Sequence, residues 1–248
     1  MIEERKEERV RVLGVQVDPV RPDRAVNLTV RYLEKHKFEY ILFANTAAAL
    51  SGREDAGIEN YIGQAALVLP GDGNIEDAVE MREWLGEGCN YQAEYFRRLF
   101  TRLNKQRASI YLLVEKDEQL AKVRKILQEK YSRLSVEGGS WLEDASVDGL
   151  VNSINSLAPD MLFLCAGHEK MWCFLAEHAC KINAGICFCM EEIVTDEKTD
   201  ISDWLHSSGF QKVWSEIKNR TSRFVHDFLF KKQMKQILQD ESTKEEET

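Results

Sequence analysis

Leu67-Val68-Leu69-Pro70-Gly71-Asp72-Gly73-Asn74 runs from an apolar strand into a Gly-Asp-Gly turn, and residues 75–84 behind it read as a helix. The same rhythm recurs along the chain. Residues 12–17, 40–44, 66–69, 110–114, 134–137, 161–165 and 186–190 read as strands, with runs of helical spacing between most of them. The alternation predicts an α/β fold with a mostly parallel, Rossmann-like sheet of about six strands and helices on both faces. In such sheets ligands bind where strands end and the following loops begin. Those loops are therefore where function is read.

A chain of 248 residues can bury one large α/β core, and with four prolines and no Gly/Ser-rich linker one main domain is expected. No apolar run approaches the ~18 residues a membrane span needs. The first ten residues, MIEERKEERV, lack a hydrophobic signal core, so a cytoplasmic protein is expected. A net charge of -9 argues against general nucleic-acid binding. The charge is uneven, however. Residues 209–239 carry seven Lys/Arg interleaved with Trp214, Phe224, Phe228 and Phe230, and residues 240–248 are mostly acidic. A basic helix with bulky apolar residues suits an anionic membrane surface. A helix docked on the core with its lysines solvated is the competing reading.

Five of the six cysteines fall between Cys165 and Cys189, without a C-x2-C pair. Cys187 and Cys189 share one face of a strand, and Cys173 and Cys180 one face of a helix. That pattern predicts reduced, largely buried thiols. A zinc site from His168, Cys173, His178 and Cys180 matches no structural zinc spacing, and no metal site is expected.

Four loops carry the candidate chemistry. In the first, Gly71 and Gly73 allow close backbone approach to a ligand, while Asp72 suits a general base or a sugar-hydroxyl acceptor. A plain turn with Asp72 or Asn74 as N-cap competes with that reading. In the second, Asn45 or Thr46 either caps a helix or contacts a ligand. In the third, Gly138 and Gly139 close a strand and offer room for a ring or a pyrophosphate, with a turn as the alternative. Gly167 and His168 follow the strand at 161–165, where catalytic groups of such sheets usually stand.

In order and spacing these loops resemble the WecG/TagA/CpsF glycosyltransferase family. Leu13-Gly14-Val15-Gln16-Val17-Asp18 is similar to its opening LGVPVD-type strand. Asn45 matches the asparagine after its second strand, and residues 67–73 match its LPDG loop. Residues 109–113, 120–131 and 134–141 resemble its next block, and Ile154-Asn155, Ala158-Pro159-Asp160 and residues 162–167 the block after that. The resemblance covers roughly residues 10–230.

The resemblance implies transfer of an N-acetylhexosamine or related sugar from a UDP-sugar to a polyprenyl-diphosphate-linked sugar in cell-surface polysaccharide synthesis, with inversion, no cofactor and no essential metal. Together with the loop readings above, it gives Asp72 as base and Asn45, Thr46, Gly71, Gly73, Gly138, Gly139, Gly167, His168, Arg220 and Arg223 as substrate-binding residues. The expected organisation is an α/β domain over residues 8–205, a basic amphipathic helical appendage over 206–239 that by the resemblance helps complete the site at the inner face of the membrane, and an acidic, disordered tail over 240–248. A homo-oligomer is left open. Several positions depart from the pattern. Phe43 replaces a threonine, the acid of the LPDG loop is shifted by one residue, and Glu115-Lys116-Asp117 replaces a glycine-rich loop. Glu169-Lys170-Met171-Trp172 replaces P-x-Q-E, and Met190-Glu191-Glu192-Ile193 replaces a GG-x-F-D block. A non-catalytic paralogue acting through a binding partner is the alternative, favoured if Phe43 or Trp172 fills the cleft.

Overall fold

A computed structural model describes residues 8–35, 37–85, 90–105, 107–131, 133–142, 146–191, 230–231 and 233–234. Its centre is a six-stranded, wholly parallel sheet built from β3 (Glu39–Ala44), β4 (Leu67–Pro70), β5 (Ser109–Val114), β6 (Ser135–Trp141), β7 (Met161–Cys165) and β8 (Ile186–Met190). The order across the sheet is β4-β3-β8-β7-β5-β6. Every residue of β4, β7 and β8 is buried, as expected for parallel strands covered on both faces.

The helices divide between the two faces. Phe188 and Phe43 turn toward α6 (Tyr91–Leu103), where Phe96 lies 5.2 Å from Phe43, 5.6 Å from Phe163 and 5.6 Å from Phe188. Helix α1 (Pro22–Glu34) packs on the same side, joined by the buried 2.6 Å hydrogen bond between Thr29 and Tyr95. Cys187 and Cys189, one residue either side of Phe188, point to the opposite face, where α2 (Thr46–Glu54), α3 (Ala56–Gln64) and α9 (His168–His178) pack. There Tyr61 stacks on Tyr40 at 5.4 Å and meets Trp172 at 5.5 Å. Phe43 is thus a core residue beneath the sheet, and Trp172 packs on α3.

The structure corrects the expected elements in four places. First, residues 12–17 are not one strand. Val10–Val12 (β1) and Val15–Val17 (β2) form an antiparallel hairpin around Leu13, whose φ is 53°, and Gly14. A Cβ on Gly14 would stand 1.9 Å from the Arg53 nitrogen, so only glycine allows this approach to α2. Asp18 then ties the hairpin to β4, accepting from Val68 N at 2.7 Å and from Arg9 Nε at 3.0 Å.

Second, residues 75–84 are not one helix. Gly73–Ala78 (α4) and Arg82–Leu85 (α5) are separated by a turn in which Glu80 has a φ of 56°. Third, β6 runs on to Trp141, which places Gly138 and Gly139 inside the strand instead of in a loop at its end. A Cβ on Gly138 would lie 2.6 Å from the Tyr111 ring, and one on Gly139 2.4 Å from Leu120 Cδ1 in α7 (Asp117–Lys130). Gly138 is held by packing against the Tyr111 ring, whereas at Gly139 the nearest atom is the end of a leucine side chain that can shift. Fourth, Cys173 and Cys180 are exposed. The buried stripe of α9 is Met171, Phe174, Leu175 and His178, which excludes Cys173, and Cys180 follows in a 3-10 turn. Cys165, Cys187 and Cys189 are buried as expected, and burial pushes the Cys165 and Cys187 thiols well up.

The expected basic appendage lies almost wholly outside the described residues, as do Arg220, Arg223 and Cys89. Where it is described, Phe230 is buried, Met234 packs against the core, and Gln233 accepts from Arg53 Nη1 at 2.9 Å.

Candidate functional site

Parallel register brings the ends of β4, β3, β8, β7 and β5 to one edge. Two clusters of side chains stand side by side there.

The first gathers around Asp72. Adjacent strands β3 and β4 pair Ala44 with Pro70, so the loops beginning at Asn45 and Gly71 emerge together. Gly71 N donates to Ala44 O at 2.8 Å, and a Cβ on Gly71 would sit 2.8 Å from Phe43 O. The Asp72 carboxylate accepts three hydrogen bonds. Oδ1 takes Ile75 N at 3.0 Å, which makes Asp72 the N-cap of α4. Oδ2 takes both Thr46 N and Thr46 Oγ1, each at 2.7 Å. A carboxylate offers about four lone-pair positions. Oδ2 is therefore filled, and the open acceptor position is on Oδ1. The Thr46 hydroxyl in turn accepts from Asn74 Nδ2 at 3.0 Å.

Asn45 caps α2 by accepting Ala48 N at 2.9 Å, and its Nδ2 donates to Glu191 Oε2 at 2.7 Å. The link between Asp72 and Asn45 runs through Thr46, the residue next in chain to the cap. Gly73 opens α4 with its carbonyl facing Arg82, which also pairs with Asp77 at 2.8 Å. Below this cluster the buried Glu76 accepts Tyr91 N at 2.8 Å and so fixes the start of α6. Burial pushes its carboxyl above the usual range, against the opposing pull of the Tyr91 N–H and Arg82.

The second cluster sits between β5 and β7. The chain leaves β5 for β6 in one direction across the sheet and leaves β7 for β8 in the other. Such a reversal of strand order opens a crevice at the carboxyl edge. Here the crevice holds the carboxylate of Glu115. It accepts Gly167 N at 3.2 Å and Lys170 Nζ at 3.0 Å. Gly167 is the N-cap of α9 and supplies no side-chain cap of its own, so a carboxylate from the neighbouring strand fills that role. Burial raises the Glu115 carboxyl, but Lys170 and the Gly167 N–H outweigh it and hold it below the usual carboxylate range. His168 follows Gly167 as the first residue of α9 and is half-buried.

The structure thus brings Asn45, Thr46, Gly71, Asp72 and Gly73 together, sets Gly167 and His168 further along the same edge, and leaves Gly138 and Gly139 within β6. Glu115, Lys170 and Glu191, noted in the sequence as departures from the family pattern, are not named there as candidate site residues. Their signal was position, since Glu115 and Glu191 directly follow strands. Among the described residues no group of three or more His, Cys, Asp or Glu side chains is arranged to hold a metal ion.

Polar side chains gathered at the carboxyl edge of a parallel α/β sheet stand where proteins of this architecture bind their ligands. The glycosyltransferase WecG/TagA/CpsF family model matches residues 10–231, and the chain belongs to that family. Membership gives it a glycosyltransferase-like role in cell-surface polysaccharide synthesis. No curated protein matches the chain. Among the described residues no helix is long and apolar enough to cross a membrane.

Proposed function

We propose that the protein transfers an N-acetylhexosamine or related sugar from a UDP-sugar to a polyprenyl-diphosphate-linked sugar, with Asp72 as the general base. The carrying observation is the joint emergence of Asn45, Thr46 and Asp72 from adjacent strand ends, with one acceptor position of Asp72 Oδ1 open. In this reading Asp72 takes the proton of an acceptor hydroxyl as that oxygen attacks the anomeric carbon. The bond to the UDP oxygen breaks, and UDP leaves with the bonding pair. Thr46 holds the carboxylate in place, and Asn45 positions a sugar hydroxyl. The protein acts peripherally at the inner membrane face, where its acceptor is anchored. Arg220 and Arg223 are assigned to substrate binding by the resemblance alone.

A second reading is favoured by Glu115. Its carboxylate occupies the helix N-terminus and lysine of the sheet's crevice, where a donor diphosphate would otherwise meet N–H groups and a cation. A family member that binds a partner without transferring sugar fits that arrangement. Screening UDP-sugars with a lipid-diphosphate acceptor, by product mass spectrometry and by UDP calorimetry, separates the two. Product supports transfer, whereas a folded protein that neither binds UDP nor forms product supports the second reading.

A further inference from the structure

We propose that the outer face of α1 and α6 docks the protein on an anionic phospholipid surface. The proposal rests on the transfer reading only for the reason a membrane is near. Its physical ground is the charge and shape of this face. In a chain of net charge -9, the segments 21–35 and 91–107 hold nine Lys/Arg against three Asp/Glu. Both segments belong to helices that pack together on one side of the sheet, so the excess positive charge is collected on one surface. A patch of opposite sign to the whole molecule orients it toward an anionic partner.

Between the two helices lies a groove of about 320 Å³, with Arg24, Arg31 and Arg102 around it and Glu34 the one acid among the described residues that line it. Arg31 and Arg102 are exposed and Arg24 half-exposed. A groove of this size and charge suits a phosphate-bearing lipid headgroup, because guanidinium forks match phosphate oxygens. At the end of this face stands Trp84, 54% exposed, with the Arg21 guanidinium 3.2 Å from its ring centroid. An exposed tryptophan stacked with arginine combines an apolar body with a charge for headgroups, the pairing favoured at membrane interfaces. Trp84 belongs to α5, which follows the carboxyl end of β4 through α4. The lipid contact therefore flanks the edge that carries Asp72. A protein partner with an acidic face would need matching relief, whereas a fluid bilayer adapts to a groove and a single protruding ring.

The test is flotation of the full chain with vesicles of phosphatidylglycerol in phosphatidylcholine, and with phosphatidylcholine alone. Binding to the anionic vesicles only is expected. The triple variant Arg24→Gln, Arg31→Gln, Arg102→Gln should lower the partition coefficient about a hundredfold, given roughly 1 kcal/mol per base near an anionic surface. Trp84→Ala, which leaves the charge unchanged, should lower it severalfold. Arg220→Gln with Arg223→Gln separates this face from the basic C-terminal segment and should retain the sensitivity to the groove arginines. Circular dichroism establishes that each variant is folded. If folded groove and Trp84 variants float as the wild type does, this face is not the lipid contact. Wild-type chain that floats with neither vesicle also overturns the proposal, while transfer to a water-soluble acceptor analogue would leave the proposed reaction standing.

Discussion

Thr46 holds Asp72 twice: its backbone N–H and its hydroxyl both donate to Oδ2 at 2.7 Å. The candidate base and the start of α2 are therefore one unit, and each is tested through the other. Thr46→Val keeps the shape and the backbone bond but removes the hydroxyl, which also leaves Asn74 Nδ2 without that acceptor. The expected cost is about 1–2 kcal/mol of stability by urea denaturation, together with a lowered transfer rate. A Thr46→Val protein with wild-type midpoint and wild-type rate would show that the contact holds nothing in place.

Glu115 ties β5 to the start of α9, and its carboxyl is held below the ordinary 4.5. A depressed carboxyl stabilises the fold fully above its unfolded-state value, and that contribution is lost as pH falls through the lower folded-state value. The wild type should therefore be more stable than Glu115→Gln at neutral pH, and the gap should close below about pH 4. Urea midpoints of both proteins across that range measure it. A gap that stays constant into acid would mean that the ionised carboxylate contributes nothing.

Gly138 and Gly139 test packing against ligand binding. Gly138→Ala forces a Cβ within 2.6 Å of the Tyr111 ring. Overpacking of this kind costs typically about 1–3 kcal/mol. The expected result is a lower melting temperature with unchanged UDP affinity. Unchanged stability with weakened UDP binding would return these glycines to the donor site.

The cysteines should separate by exposure. Iodoacetamide under native conditions should label Cys173 and Cys180, and label Cys165, Cys187 and Cys189 only after unfolding, because burial shuts the reagent away from all three and disfavours the thiolate at Cys165 and Cys187. Peptide mass spectrometry reads the order directly. Early labelling of Cys187 would contradict the buried strand.

The sheet was legible because its strands are short apolar runs with turn residues at their ends. β7 and β8 fall on the residues that the pattern names, 161–165 and 186–190. Glycine misled the reading in opposite directions. At Gly14 it marks a turn inside an apparently continuous strand, and at Gly138 and Gly139 it marks close packing inside an apparent turn. The Asp72 cluster was legible because Asn45 and Asp72 each follow a strand and cap a helix. The contacts of Glu115 with Gly167 and of Glu191 with Asn45 span 52 and 146 residues. They follow from the order of strands across the sheet, which local periodicity does not encode. Family membership then reaches further than any single loop, because the matched order of elements covers residues 10–231.

The central claim, sugar transfer with Asp72 as base, is tested most directly by the rate of product formation for wild type and Asp72→Asn with a UDP-N-acetylhexosamine and a lipid-diphosphate acceptor. Asparagine still caps α4 through its carbonyl oxygen but cannot take a proton. The account predicts transfer by the wild type and a loss of about a hundredfold or more in the variant. Equal rates in two folded proteins, or no product from the wild type with any such donor, would contradict it.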